Sequence, residues 1–455
     1  MKHALMLLAI PRQLPADPAL ELEPVTAAVV LEPTSQPVGD GPDDGRDPSL
    51  RQNGDFRTVL IGQGISALGD AVSITTMPLL VLALTGSGLQ MGVVGVLQRL
   101  PDLLFGLPAG AYADRWDRRK MMLWADAARA IMTAFIPLAW VFGLPVMGVV
   151  LLVMFPINVC RVIFMAGWTA TIPNLVGRRQ LARATGLFEA ISGGSFIVGP
   201  AIAGLLVARI GAAPTLAIDS LSFAASALSL VLIRRPLRST APRPGTTLLH
   251  EMAAGVRYIR EHRVLRDVVA FWSVLSLVSA PVIPAVTFYV TIDRNLGPAA
   301  FGFVISAYSV GTLTGALLGG RQISGRLAPR LLVGNLAVAM ATAGLALSAS
   351  LPAMALLAFA SGAFQAVVLV TYITVRAAGS PDEVLGRVGS TARTISVGIQ
   401  PLGLLVGGVL LDAVRGGPTL LIIAGLTGAT SALFLLSSAI RGADVLPRPH
   451  SAAQA

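Results

Sequence analysis

Charge is scarce in this sequence: 13% of its 455 residues are Asp, Glu, Lys or Arg, against about 25% in a soluble domain. Such a chain is not built to be surrounded by water. Cysteine is rarer still. The lone Cys160 excludes an intramolecular disulfide framework and reads as a small residue within an apolar segment. With only four histidines beside it, no spacing suits a metal site. No Gly-x-x-x-x-Gly-Lys-Ser/Thr loop occurs, which argues against an intrinsic ATP motor. Nor is there an enzyme's nucleophile or paired-carboxylate arrangement. The expectation is a protein with no catalytic residue, cofactor or metal. Lysine occurs only at Lys2 and Lys120 against many arginines, a bias of GC-rich bacterial genomes, so a bacterial plasma membrane is expected.

What the chain has is apolar length. It is 54% hydrophobic, with a mean hydropathy of +0.73. Runs of about 20 apolar residues, enough to cross a hydrocarbon core of about 30 Å, recur from Phe56 to Ile440. In lipid such runs must be helices or closed barrels, and their length without strand alternation favours helices. Hydropathy and breaker residues place spans near 57–84, 89–111, 119–141, 146–172, 181–207 and 213–233, then near 264–290, 298–320, 328–349, 351–377, 384–411 and 417–439. The expected fold class is all-α integral membrane, with about twelve transmembrane helices in two pseudo-symmetric six-helix bundles, residues 56–233 and 264–440. A basic, Pro-containing linker, 234–263, joins them, and its stretch 248–262 reads as an amphipathic surface helix. Residues 1–55 read as a disordered, acidic and Pro-rich cytoplasmic tail, or as the product of a mis-assigned start codon; residues 441–455 form a second cytoplasmic tail.

The formal charge of +10 raises nucleic-acid binding as a reading, and its distribution decides against it. Basic residues fill alternate gaps between spans: Arg115, Arg118, Arg119 and Lys120; Arg178, Arg179 and Arg183; Arg234 through Arg266; Arg321, Arg326 and Arg330; Arg376 and Arg387. The intervening gaps hold Arg209, Arg294 and Arg415 at most. This positive-inside pattern places both termini in the cytoplasm. The partners expected are the lipid bilayer, protons and a small-molecule substrate, with no nucleic acid.

The two halves also resemble each other. At one constant offset Arg183 falls opposite Arg387, Ile191-Ser192 opposite Ile395-Ser396, and Gly194, Gly199 and Gly204 opposite Gly398, Gly403 and Gly408. That is a parallel internal repeat of the kind found in facilitator-type carriers.

The most specific local signal is Gly110-Ala111-Tyr112-Ala113-Asp114-Arg115-Trp116-Asp117-Arg118-Arg119-Lys120. It resembles the loop signature of the major facilitator superfamily, with Asp117 where the usual second glycine stands. The resemblance implies a gate in which Gly110 permits close helix approach, and Asp114 pairs across the bundle interface in one conformation and releases in the other. Arg115, Arg118 and Arg119 flank that gate on the basic side, and the second half has only a degenerate echo at Gly320-Arg321 to Gly325-Arg326. The stretch from Gly194 to Gly204, including Gly199 and Pro200, resembles the superfamily's antiporter motif, which favours export; ordinary helix packing is the competing reading. Ile65-Ser66-Ala67-Leu68-Gly69-Asp70, Arg99-Leu100-Pro101, Ile218-Asp219-Ser220-Leu221-Ser222-Phe223 and Gln400-Pro401-Leu402-Gly403 are similar to the enterobactin-exporter and macrolide-efflux branch.

Ionisable residues inside spans are the default functional candidates. Asp70 lies about 21 Å into the first span at 1.5 Å per residue, near the midplane, where a carboxylate facing a cavity can exchange a proton. Arg99 with Asp102, and Asp126 with Arg129, are spaced three apart on one helix face, so each pair either neutralises itself or serves coupling. Arg161 is the candidate for an antiporter arginine, although no glycine stands four residues on. Glu189 and Arg393 occupy matching positions with opposite charge, suiting a pair across the pseudo-two-fold or two interfacial residues. Met77, Phe105, Trp140, Trp168, Trp272, Phe288 and Tyr289 line a greasy cavity or face lipid. The function expected is a monomeric, proton-coupled exporter of hydrophobic or amphipathic small molecules, drug, antibiotic or siderophore-like, working by alternating access. An importer or lipid flippase of the same fold and a non-transporting sensor or scaffold are the alternatives.

Overall fold

The apolar runs fold as helices, because only an intrasegment ladder satisfies their backbone without water. The computed structural model describes residues 50–113, 116–233, 248–321 and 325–445. The expected tails before residue 50 and beyond 445, most of the linker, and Asp114 and Arg115 lie outside the described residues. The helices are α1 (Gly54–Thr85), α2 (Gly88–Ala113), α3 (Arg118–Val141), α4 (Val146–Val176), α5 (Leu181–Ile210) and α6 (Ala212–Leu232), then the short α7 (Leu248–Glu261). The second half comprises α8 (Arg263–Ser279), α9 (Val282–Phe288), α10 (Gly297–Arg321), α11 (Leu327–Leu347), α12 (Leu351–Ala378), α13 (Asp382–Gly398), α14 (Gln400–Val414), α15 (Gly416–Leu435) and the terminal α16 (Ser438–Gly442). Among the described residues extended pairing is limited to one isolated bridge, Arg326 to Asp444.

Eleven helical stretches are long and apolar enough to cross a membrane, counting Arg263–Asp293 and Asp382–Val414 as one each. Helix α2, at 26 residues, is long enough but is diluted by Gln90, Gln98, Arg99 and Asp102; packed between α4 and α14, it makes the twelfth span. Two spans that read as continuous are broken. Pro281 interrupts the span over 264–290, and Pro401 that over 384–411, each lacking the N–H that would continue the ladder. A π-helical turn, Tyr289–Asp293, closes the former. Leu152 and Leu221, at 75% and 70% exposure, typify the outward faces that meet lipid.

Within each half the helices pack on their own neighbours: α1 on α5 and α6, α3 on α4 and α6, α10 and α11 on α12, α11 on α15. The halves meet mainly through α5 against α10 and α2 against α14. Glycines set these approaches, and the repeat is visible in them. Gly199 packs α5 on Ala71 of α1, as Gly403 packs α14 on Leu277 of α8. Five residues on, a Cβ on Gly204 would lie 2.6 Å from the Pro298 oxygen of α10, and one on Gly408 would lie 2.7 Å from the Gly88 oxygen of α2. Gly211 and Arg415, again at matching positions, both take positive φ, 87° and 67°. Loops alternate between a basic face and an opposite face, and both of these cross-half contacts lie at the opposite face.

Helix α7 does not lie free on a surface. Its Gly255 abuts Thr391 and the Arg387 carbonyl of α13, and the Tyr258 hydroxyl donates to the Gly379 carbonyl at 3.3 Å.

Candidate functional site

A cavity of about 660 Å³ lies between the halves, within the size range of small-molecule sites. Its walls differ in kind. Among the described residues the first half supplies all of the charged lining residues, Asp70, Arg99, Arg129, Arg161, Glu189 and Asp219, whereas the second half supplies apolar side chains and neutral polar ones such as Ser276, Thr342 and Gln365.

The centre of the charged wall is Arg129. Helix α3 carries it and Asp126 one turn apart, and their ion pair is 3.3 Å long. The stronger contact runs across to α1, where Arg129 donates to Asp70 at 2.7 Å. From α6 the Phe223 ring stacks 3.7 Å from the guanidinium carbon. The same helix brings Asp219, 3% exposed, against Asp70 and Arg129 electrostatically, with the Ser222 hydroxyl 3.3 Å from its carboxylate. Ser226 donates to Asp126 at 2.5 Å. Gly69 makes this convergence possible: a Cβ there would come 2.8 Å from the Asp219 carboxylate. Three carboxylates therefore share one guanidinium, and only Asp70, with a 36% exposed side chain, is substantially open to the cavity.

A second polar group sits beside it on α2 and α4. Asp102 pairs with Arg161 at 2.5 Å rather than with Arg99, and Asn158 accepts from the same arginine at 3.2 Å. The self-neutralising reading of Arg99 and Asp102 is thus corrected: the side chain three residues away lost to one on the facing helix. Arg99 is exposed toward the cavity.

Glu189 is exposed on the cavity wall, and Arg393 is exposed but off it. No ion pair joins them, so the expected pair across the pseudo-two-fold is not formed in this conformation. Met77 and Trp168 line the cavity; Trp140 is 54% exposed on the outside, and Phe288 and Tyr289 are buried.

The loop motif is described only in part. Gly110 lies in the last turn of α2, while Asp114 and Arg115 lie outside the described residues. Asp117 caps α3, its side chain accepting from the Lys120 amide at 3.3 Å, which gives the departure from the family glycine a local use. Arg119 ties α3 to the last turn of α6, donating to the Leu230 carbonyl at 2.8 Å and also to that of Val231, a favourable place for a cation. Arg118 is buried at 8% exposure. The antiporter-like stretch forms part of the cross-half seal, since Gly302 of α10 sits where a Cβ would collide with the Pro200 carbonyl, and Gly204 lies against Pro298.

Two features were not anticipated as site residues, although one of them was legible in the sequence. Asp219 is an acid within the apolar run 213–233, the same signal that marks Asp70. The other is Asp412 at the end of α14, whose carboxylate accepts from the Ser87 hydroxyl at 2.9 Å and the Gly88 and Leu89 amides at 2.5 and 3.0 Å, capping α2 of the other half. Separated by more than 300 residues, these partners leave no local trace.

Among known proteins, a family model described as transmembrane secretion effector matches residues 48–454. The multidrug efflux pump Tap of Mycobacterium tuberculosis is 29% identical over 415 residues, covering 87% of this chain and 97% of that protein. Macrolide efflux protein A of Streptococcus pyogenes is 26% identical over 370 residues, covering 79% and 90%. Of solved structures, the nucleoside transporter NupG aligns with a TM-score of 0.70 at 12% identity over 84% of this chain and 98% of that one. A bacterial homolog of the human lysosomal transporter Spinster, inward-facing and unoccupied, aligns at 0.65 and 16% over 85% and 96%. At such identities these structures speak for the fold alone. Repeat, cross-half seals, central cavity and family match agree: this chain is a multi-pass membrane transporter of the major facilitator fold and belongs to the transmembrane secretion effector family within that superfamily's efflux branch.

Proposed function

We propose that the protein is a secondary active exporter that moves hydrophobic or amphipathic small molecules out of a bacterial cell in exchange for protons. The observation that carries this reading is the cluster of Asp70, Asp126 and Asp219 around Arg129. With all three acids ionised and one cation, the cluster holds a formal −2, and uncompensated charge in a membrane interior is costly. A proton held there relieves that cost, and the half-exposed Asp70 is the route by which it exchanges with the cavity. The efflux names of the relatives support direction and cargo. With the basic loops cytoplasmic, by the positive-inside rule, the seals of α5 on α10 and α2 on α14 close the outer face, and the cavity faces inward for loading. Rocking of the halves about their seals then carries the site outward. The protein works as a monomer in the lipid bilayer, with the proton gradient as energy source and no cofactor or nucleic acid.

The test is accumulation of a panel of dyes and antibiotics in cells expressing the protein, with and without a protonophore, beside Asp70→Asn. Expression is expected to lower accumulation, and both protonophore and variant to restore it. Accumulation that never changes across the panel rejects multidrug export.

A further inference from the structure

The charged residues of the cavity are unequally satisfied. Arg129 is held by Asp70 and Asp126 and Arg161 by Asp102, while Arg99, exposed on the wall, makes no ion pair of its own and stands near both Arg161 and Asp102. Asp219 is wrapped in serine hydroxyls. Glu189 is the unpaired acid of the wall: an exposed carboxylate with no ion-pair partner among the described residues. It lies eight residues into α5, about 12 Å from the basic face at 1.5 Å per residue, near the mouth of the cavity.

The same cavity wall carries aromatic rings. Phe188, the adjacent residue, meets Trp168 edge-on with ring centroids 4.7 Å apart, and Trp168 stacks on Phe164 at 6.4 Å. All three rings line the cavity. Along α5, Ser192 and Phe196 follow Glu189 at helical spacing and also line it, so the carboxylate heads an amphipathic track leading inward.

We infer that Glu189 is the counter-charge for an organic cation, which makes lipophilic cations a preferred cargo class of this cavity. An exposed carboxylate on a wall that also carries aromatic rings attracts a cation by charge, and any ring that turns its face to the same cation adds the pull of its quadrupole. The opposite wall explains why occupancy matters. When the mouth closes, Glu189 loses its water, and among the described residues the second-half wall of the cavity carries no charged side chain, Arg393 at the matching position lying off that wall. An empty carboxylate therefore opposes closure, and a bound cation relieves that opposition, so cargo shifts the conformational balance.

This inference rests on the reading of the central cavity as the cargo site. Its test is equilibrium binding to the purified full-length protein of tetraphenylphosphonium, a permanent cation, beside the uncharged triphenylphosphine oxide. The ratio of cation to neutral affinity is expected to fall about tenfold in Glu189→Gln and to recover substantially in Glu189→Asp, as for loss and restoration of one partly desolvated charge pair. An unchanged ratio, equal weakening of both probes, or no binding of the cation by the wild-type protein overturns it. Wild-type protein in vesicles keeps the two readings apart. Movement of the neutral probe driven by a pH gradient, with an unchanged ratio, rejects the Glu189 assignment and leaves antiport standing. A Glu189-dependent ratio without gradient-driven movement rejects antiport alone.

Discussion

Arg129 is 3% exposed, and its burial is made tolerable by Asp70, Asp126 and the Phe223 face. Arg129→Ala leaves buried acids without their cation, and breaking such a site costs about 3–5 kcal/mol. The purified variant is expected to melt well below the wild type, and adding Asp126→Asn to recover part of the loss, because it removes one of the stranded charges. No recovery in the double variant would mean that packing, not charge, holds the site. Half of this cluster was legible beforehand. The Asp126 and Arg129 pair follows from a spacing of three on one helix, whereas the Asp70 to Arg129 and Asp102 to Arg161 pairs each bridge 59 residues and depend on how helices are packed. Asp219 was legible in principle, as an acid in an apolar run.

At the scale of elements, the seals between halves are the parts most open to test. Gly302 faces the Pro200 carbonyl with no room for a side chain, so Gly302→Leu forces α10 away from α5. Spin labels at Leu144 and Leu347, both exposed on the face opposite the basic loops, should move apart in that variant. Asp412→Asn should do the same more weakly, since it keeps the shape and loses the charge that favours the α2 N-terminus. An unchanged distance distribution in both would deny these contacts a gating role. Helix existence and length were readable from hydropathy, but the breaks at Pro281 and Pro401 were not, because Pro78, Pro137 and Pro200 sit inside unbroken helices. Composition alone does not separate a tolerated proline from a disruptive one; the neighbouring helices decide. The amphipathic pattern of α7 was clear, while its seat on α13 depended on Gly255.

For the whole molecule, sidedness is the outstanding prediction of the arginine distribution. In a Cys160→Ser background, a cysteine at Leu144 should react with an impermeant maleimide added to intact cells, and one at Arg260 on α7 should not; the reverse pattern would invert the proposed orientation. The two-half plan was legible because the repeat is written in glycines that set helix approach. The cavity was not, since its wall is gathered from widely separated helices. That wall has a consequence for how such a protein changes with time. Among the described residues every charge lining the cavity comes from the first half, so the second half is free to vary in size, shape and polarity without disturbing the ionic machinery. Under pressure from a new toxic compound, the resistance spectrum should drift through replacements such as those at Thr342, Gln365 or Thr427, while the first half is conserved by purifying selection.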